Sequence, residues 1–503
     1  MGVVIRQGFK FTVVTYVGVA LGALNILVLF PGLLDSSEIG LRELLIGISL
    51  GLAYFAQLAM NNVMVRFYPW FKDESRQDNG LLLLSLLISL GGYLLVSGLF
   101  YFFTPAFVKL FEANANLVVQ YLWAILPLTA FVMLNTLLEN WARLQLRISV
   151  PALIRELILR LIQTVIVLLY GYKYISFHEF ILAFIGSYAF NTLLLTYYVR
   201  SLGVLYLKPS FLRVPVKLRK EMAIYALWML IGGAGVIINE RIDGLMLAWL
   251  AGLSYTGIYA ISFFIATIIE MPRRGVSQLA GTLVAQHWKE NDFKAMETIY
   301  KQSSLNQLIL GGAIFIGIWA NIDELFELIP NGKIYSQGKY VVFFIGLARL
   351  VDMANGVNNE IIQNSPHYRF NLISILFLGV ISFSTNYLMI PIYGLTGAAA
   401  GSTISIVLFN LLKGGFIWSK LRIQPFEKRS LLVLLLFGGV LTLSYTIPRF
   451  HEGTWWTLLH IGVKSLFVGG SLLFLVWRFK LSDELHGLIE SLLKPIYRLK
   501  SIK

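Results

Sequence analysis

The chain has 503 residues, of which 57% are hydrophobic and only 14% charged, with a formal net charge of +14 and no cysteine. Soluble globular proteins carry roughly 25% charged residues, so a sizeable soluble catalytic domain is excluded. The missing cysteines exclude disulfides and thiolate metal sites, and the six histidines (His178, His287, His367, His451, His460, His486) lack ligand spacing, so neither a metal nor a cofactor is expected.

Apolar runs separated by short polar turns fill the chain. They include residues 11–30, 81–104, 117–138, 180–199, 372–390 and 455–477. Each is long enough to cross the ~30 Å hydrocarbon core of a bilayer as a helix, and about fourteen such runs meet the criterion. The fold class predicted is an all-α polytopic membrane protein. Lys and Arg gather in alternate connections: Arg6 and Lys10 before the first run, Arg143, Arg147, Arg155 and Arg160 around the start of the fifth, Arg200 to Lys220 after the sixth, and Lys413, Lys420, Arg422, Lys428 and Arg429 after the twelfth. The other connections are acidic or poor in base, with Asp35, Glu38, Asp323, Glu324 and Glu327. The positive-inside rule then places both termini in the cytoplasm, which requires an even number of spans. The surplus positive charge is a topology signal and an attraction to anionic membrane lipids. No folded basic domain exists to bind nucleic acid.

The longest basic connection, 201–221, separates an expected N-terminal lobe of six spans (1–200) from a C-terminal lobe of six (222–420). Two more helices occupy 421–478, and an amphipathic cytoplasmic tail is expected at 479–503. A faint internal echo favours two pseudo-symmetric lobes. Glu38-Ile39-Gly40-Leu41 opens the second span and Thr256-Gly257-Ile258-Tyr259 the eighth, while Phe71-Lys72-Asp73-Glu74 and Trp288-Lys289-Glu290 follow some thirty residues later. Both pairs share an offset of about 217 residues, as structural repeats would.

Charges inside apolar runs are costly, about 2.5–3.5 kcal/mol at mid-bilayer, so they usually face the bundle interior. In the seventh span Asn239, Glu240 and Asp243 fall on one arc and Arg241 on another. In the tenth, Arg349, Asp352, Asn359, Glu360 and Gln363 form a polar stripe suited to a water-filled cavity, although Arg349 and Asp352 at i,i+3 can also neutralise each other. Asn25, Gln57, Asn61 and Asn62 are uncharged candidates for hydrogen bonds to a polar ligand, with interhelical hydrogen bonding as the plainer role. Glu156 with Arg160, and Arg273 with Arg274 beside Pro272, are cationic groups fit to meet phosphate or lipid headgroups.

Several stretches resemble the polysaccharide-export (Wzx-type) branch of the MOP flippase superfamily. They are Gly2-Val3-Val4-Ile5-Arg6-Gln7 with Tyr16-Val17-Gly18, then Glu38-Ile39-Gly40-Leu41, Arg66-Phe67-Tyr68-Pro69-Trp70-Phe71-Lys72-Asp73 and Gly257-Ile258-Tyr259. The most distinctive is Ile390-Pro391-Ile392-Tyr393-Gly394-Leu395-Thr396-Gly397-Ala398-Ala399-Ala400. The resemblance implies a MATE-like fold and a flippase that moves undecaprenyl-diphosphate-linked oligosaccharide units across a bacterial inner membrane by alternating access, for O-antigen, capsule or exopolysaccharide synthesis. It makes the chain a transporter and not an enzyme. Substrate contacts are then expected from Arg349, Asp352, Asn359, Arg241, Asp243, Asn239, Asn25 and Asn61, with Asp352 holding Arg349 until a diphosphate competes for it. Arg241 precedes Asp243, whereas the family often has Arg after the Asp, so it ranks behind Arg349. H+ or Na+ as coupling ion and a polysaccharide polymerase are the further partners considered. The alternatives are a cation-coupled drug or metabolite antiporter of the same fold and a membrane glycan-modifying enzyme.

Overall fold

The computed structural model describes residues 2–73, 78–207, 215–449, 453–487 and 490. Among them every regular element is a helix, as a bilayer demands of a chain that must satisfy its own backbone hydrogen bonds. Ten helices are long and apolar enough to span a membrane, or eleven if the bent pair Gly332–Ala354 and Asn358–Asn364 counts as one span. The chain is a multi-pass membrane protein. Residues 208–214 of the expected basic connector and 491–503 of the expected amphipathic tail lie outside the described residues.

The sequence count of about fourteen and the ten seen here differ for physical reasons. The Tyr368–Leu421 helix runs for 54 residues but turns at Gly394, whose φ of +55° and ψ of −126° lie outside any helix. Only glycine takes that conformation without strain, and Pro391 just before it removes a donor. The Lys428–Ser444 helix has only 17 residues. The stretch from Ser149 to Gly171 is divided by a π-helical turn at Ile154–Ile158. Helix starts follow the expected chemistry: Asp35 with Glu38 and Ser176 with Glu179 form capping boxes, and Asp292 caps the helix from Phe293.

The chain divides into two compact units, Met1–Ala260 and Ile261–Lys503. In the first, the Ser36–Ala56 helix packs on Ile125–Leu144, Leu81–Phe111 and Val216–Leu250. Trp141, fully buried, donates its indole N–H to the Val204 carbonyl at 2.9 Å. Small residues set the close approaches, as in lipid they must. Gly233 lies under the Tyr54 ring, and the Tyr54 hydroxyl donates to the Met229 carbonyl at 2.6 Å. In the second unit the Lys339–Ala354 helix lies against Tyr368–Leu421 and Phe293–Ala320. The last two helices, Lys428–Ser444 and Thr454–Arg478, close over Phe293–Ala320 with Phe315, Phe437, Val468 and Leu472 in the seam.

Candidate functional site

Two interrupted helices assemble a polar cluster in the second unit. The helix from Leu253 tightens into a 3-10 turn at Ile268–Glu270 and restarts at Arg273 after Pro272, which has no N–H to continue the ladder. The Lys339–Ala354 helix stops at Asn355, Gly356 takes a φ of +55°, and Asn358–Asn364 continues at a 50° bend. A Cβ at Gly356 would stand 2.8 Å from Ser303 Oγ, so the break needs glycine for both conformation and space. Broken helices of this kind mark ligand sites in transporters.

The breaks redirect the pairing expected from sequence. Arg349 does not turn to Asp352. Its guanidinium reaches Glu270 Oε2 at 2.8 Å and stands 5.5 Å from the Phe263 ring centre. Asp352 instead takes Arg273 and an amide N–H of Asn410, the latter at 3.1 Å. Glu270 also faces Arg273 at 3.6 Å. An i,i+3 pair assumes that no better partner lies across the helix, and the 3-10 turn supplies two. The single polar stripe expected along the tenth span is likewise two shorter faces, because Gly356 ends one helix before Asn359 begins to contribute.

Asn359 Oδ1 accepts from Lys413 Nζ at 3.0 Å. Asn358 donates to Asn410 Oδ1 at 3.0 Å. Sequence reading grouped Lys413 with the bases of a connection, but it is only 3% exposed, deep in the Tyr368–Leu421 helix, with its ammonium 4.1 Å from the Phe409 ring centre. Among the described residues no carboxylate comes within ion-pair distance of it. Arg349 Nε and Glu360 Oε2 are also buried without a hydrogen-bond partner among those residues. Arg273 and Arg349 are in contact with Glu270 and Asp352, whereas Lys413 feels the Glu360 charge only from beyond ion-pair distance. The available signal was Asn410 and Lys413 three apart inside an apolar run, hence on one helix face.

The remaining expected site residues lie in the first unit. Asp243 is buried and accepts the Tyr259 hydroxyl at 2.6 Å. Glu240 is exposed and Asn239 half-buried, so their shared arc is not one environment. Arg241 is half-buried with its stem beside Gly47. Asn25 ties the first helix to a neighbour: it donates to the Arg160 carbonyl at 3.3 Å and accepts from Thr164 at 2.9 Å. Glu156 pairs with Arg160 at 2.7 Å. Asn61 lines a cavity with Glu139, Asn140 and Arg143. Arg42, which sequence reading passed over, is buried between the Phe30 and Phe184 rings, 4.6 and 5.1 Å from their centres, and pairs with Glu43 at 2.5 Å. Among the described residues no group of three or more His, Asp and Glu is arranged to hold a metal ion.

The fold is similar to that of the lipid II flippase MurJ in an inward closed conformation, with a TM-score of 0.71 at 15% identity over 94% of this chain and 99% of that one. It is also similar to an inward-facing multidrug resistance MATE family transporter of the MOP superfamily, with a TM-score of 0.61 at 16% identity over 80% and 94%. MATE in complex with MaL6 gives 0.52 at 15% over 83% and 96%. No protein-family model matches the sequence, and no curated protein matches it. The chain thus shares the fold of these transport proteins.

Proposed function

We propose that the chain is a flippase for a lipid-linked oligosaccharide, carried on an undecaprenyl diphosphate, across a bacterial inner membrane by alternating access. O-antigen, capsule or exopolysaccharide synthesis would consume the product. The observation that carries this reading is Lys413, a basic group buried in a membrane helix against an amide and a ring, with no carboxylate among the described residues in ion-pair contact and the negative charge of Glu360 acting on it only from farther off. A buried charge without a close counter-charge is costly. An anionic ligand reduces that cost and a cationic or neutral one does not. Arg349 supplies a planar donor fork with its Nε still unused. A diphosphate oxygen competes with Glu270 for that fork, and Asn359, whose Oδ1 is the atom held by Lys413, offers its amide N–H to a remaining oxygen. The likeness to a flippase and to MATE transporters supports a transport role built on this fold.

A cation-coupled antiporter is the second reading. Glu360, with a buried carboxylate oxygen that lacks a hydrogen-bond partner among the described residues, favours it, because carboxylates within membrane helices mark ion pathways in transporters.

The test is export of lipid-linked glycan in a strain lacking this chain. Arg349→Ala and Lys413→Ala should each reduce export by about tenfold or more, the scale of a lost charge-assisted hydrogen bond, while the protein remains in the membrane. Arg349→Lys should restore only part, since Lys lacks the bidentate fork. If Arg349 serves only to neutralise Glu270, then Arg349→Ala combined with Glu270→Ala would recover export, and the binding role is refuted. Lost drug tolerance with glycan export intact would favour the antiporter.

A further inference from the structure

The first unit holds a cavity of about 400 Å³ with both apolar and polar lining, within the size range of small-molecule sites. Phe11, Asn61, Glu139, Asn140, Arg143 and Arg155 line it. One wall is a fixed chain of amides. Gln57 donates to the Thr136 hydroxyl at 2.5 Å, Asn61 donates to Gln57 Oε1 at 2.5 Å, and Asn140 donates to the Asn61 carbonyl at 2.9 Å. This orientation spends the Asn61 amide N–H and leaves Oδ1 buried without a donor among the described residues.

The charged groups are unequal. Glu139 is taken by Arg155 at 2.5 Å, and Arg155 also pairs with Glu156 at 3.0 Å. Arg143 bonds only the neutral Asn140 side chain and makes no ion pair among the described residues. The cavity therefore lacks a hydroxyl or N–H donor at Asn61 and an anion at Arg143, and offers the face of Phe11 between polar walls. A metal cation or an organic cation would meet two guanidinium groups, and a purely apolar ligand would strand Asn61 and Glu139 without water.

We infer that this cavity is a recognition site for the phosphosugar part of the lipid-linked substrate, with sugar hydroxyls on Asn61 and Glu139 and a phosphate oxygen on Arg143. The inference rests on the flippase reading for the identity of its ligand, and it adds a sugar-reading site in a unit that the Lys413 cluster does not include. Arg143, exposed at its tip, meets the phosphate as it arrives, and the amide chain reads hydroxyl positions behind it.

The absence of cysteine makes the test clean. Ile148 lines the cavity and is half-buried, so Ile148→Cys places a single thiol there. In the full chain in lipid nanodiscs, maleimide labelling of that thiol should slow about tenfold at saturating hexose 1-phosphates (glucose, galactose, N-acetylglucosamine) and with undecaprenyl-diphosphate-linked N-acetylglucosamine. Inorganic phosphate and undecaprenyl phosphate should leave it nearly unchanged. Arg143→Gln should raise the protecting concentration about tenfold and Asn61→Ala about threefold. Thermal stabilisation of the unsubstituted protein by the same sugar phosphates gives a second readout that needs no substitution. Failure of every sugar probe in both readouts overturns the inference. Equal protection by inorganic phosphate or undecaprenyl phosphate also overturns it, by showing a phosphate or lipid site. Absent protection with glycan export intact rejects the cavity assignment alone, whereas protection by a chain on which no glycan export depends rejects the flippase reading alone.

Discussion

Lys413 and Lys464 show what a cation inside an apolar helix requires. Lys464, 6% exposed in the Thr454–Arg478 helix, donates to Glu324 at 2.9 Å and to the Ala320 carbonyl at 3.0 Å, and His460 also stands 2.9 Å from Glu324. Lys413 touches an amide and a ring, with the Glu360 charge beyond ion-pair distance. Their substitutions should therefore separate. Lys464→Met leaves Glu324 as a buried charge without its ammonium, so it should lower stability by about 3–5 kcal/mol, and adding Glu324→Gln should restore most of that in thermal unfolding. Lys413→Met breaks no ion-pair contact, and Glu360 loses only a more distant favourable charge, so it should cost much less stability than Lys464→Met while export fails. The Glu324 pair also has a definite pH dependence. Burial raises the Glu324 carboxyl, but hydrogen bonds from Lys464 and the Glu324 backbone, with the charges of Lys464 and His460, outweigh it and leave the carboxyl below its ordinary value. A carboxyl lowered on folding stabilises fully above its unfolded pKa, about 4.3, and the contribution is lost as pH falls through the folded value. The gap in melting temperature between the natural chain and Lys464→Met should thus be widest near neutral pH and narrow as pH falls into the carboxylate range, where the Glu324 charge is lost. Sequence could show that both lysines interrupt apolar runs. It could not show which of them meets a carboxylate, because Glu324 lies some 140 residues from Lys464 in the chain.

At the level of helices, the echoed motifs meet each other. A Cβ on Gly40 would fall 2.0 Å from the Leu253 carbonyl oxygen, and one on Gly257 would fall 1.9 Å from that of Ser36. The Ser36 and Ser254 hydroxyls share a hydrogen bond at 2.6 Å. Each helix start thus makes to the other the contact it receives, the reciprocity of a two-fold interface, and this supports the proposal of two repeated halves. Glycine is required at both positions because a backbone carbonyl, unlike a side-chain tip, cannot swing aside. Gly40→Val or Gly257→Val should prevent this closure and stop transport without loss of membrane insertion. Ser36→Cys with Ser254→Cys, in a chain otherwise free of cysteine, should form a disulfide on mild oxidation and arrest export until reduced. A pair that never cross-links would refute the contact. The two glycines were legible as an offset of about 217 residues, yet their meeting was not, since a repeat gives correspondence and says nothing of contact. The break at Gly356 was hidden for a related reason. The polar stripe from Arg349 to Gln363 assumes about 100° per residue throughout, and one glycine at φ +55° ends that rotation.

For the whole molecule, the open quantity is the number of crossings. A helix rises 1.5 Å per residue, so the 54 residues of Tyr368–Leu421 would extend about 80 Å if straight, against ~30 Å of hydrocarbon. The turn at Gly394 makes two spans the economical arrangement. The 17-residue Lys428–Ser444 helix rises about 26 Å, enough for a thin or locally thinned bilayer. The stretch from Ser149 to Gly171 crosses as well if its π-helical turn continues the helix axis, and the bent Gly332–Asn364 pair supplies another. With these four adjustments the ten helices of membrane length become fourteen, the even number that two termini on one side require. Charge gives the direction. Arg219, Lys220, Lys428 and Arg429 mark one side, whereas the connection near Asn331 carries Asp323, Glu324 and Glu327. Reporter fusions after Lys220 and Lys428 should report the cytoplasm, and one near Asn331 should report the exterior. Fusions placed at Lys173, at Gly394 and at Pro448 test the added spans one by one, because each should also report the exterior. A cytoplasmic signal at Gly394 would mean that the 54-residue hairpin does not cross twice, and the count of fourteen would fail with it.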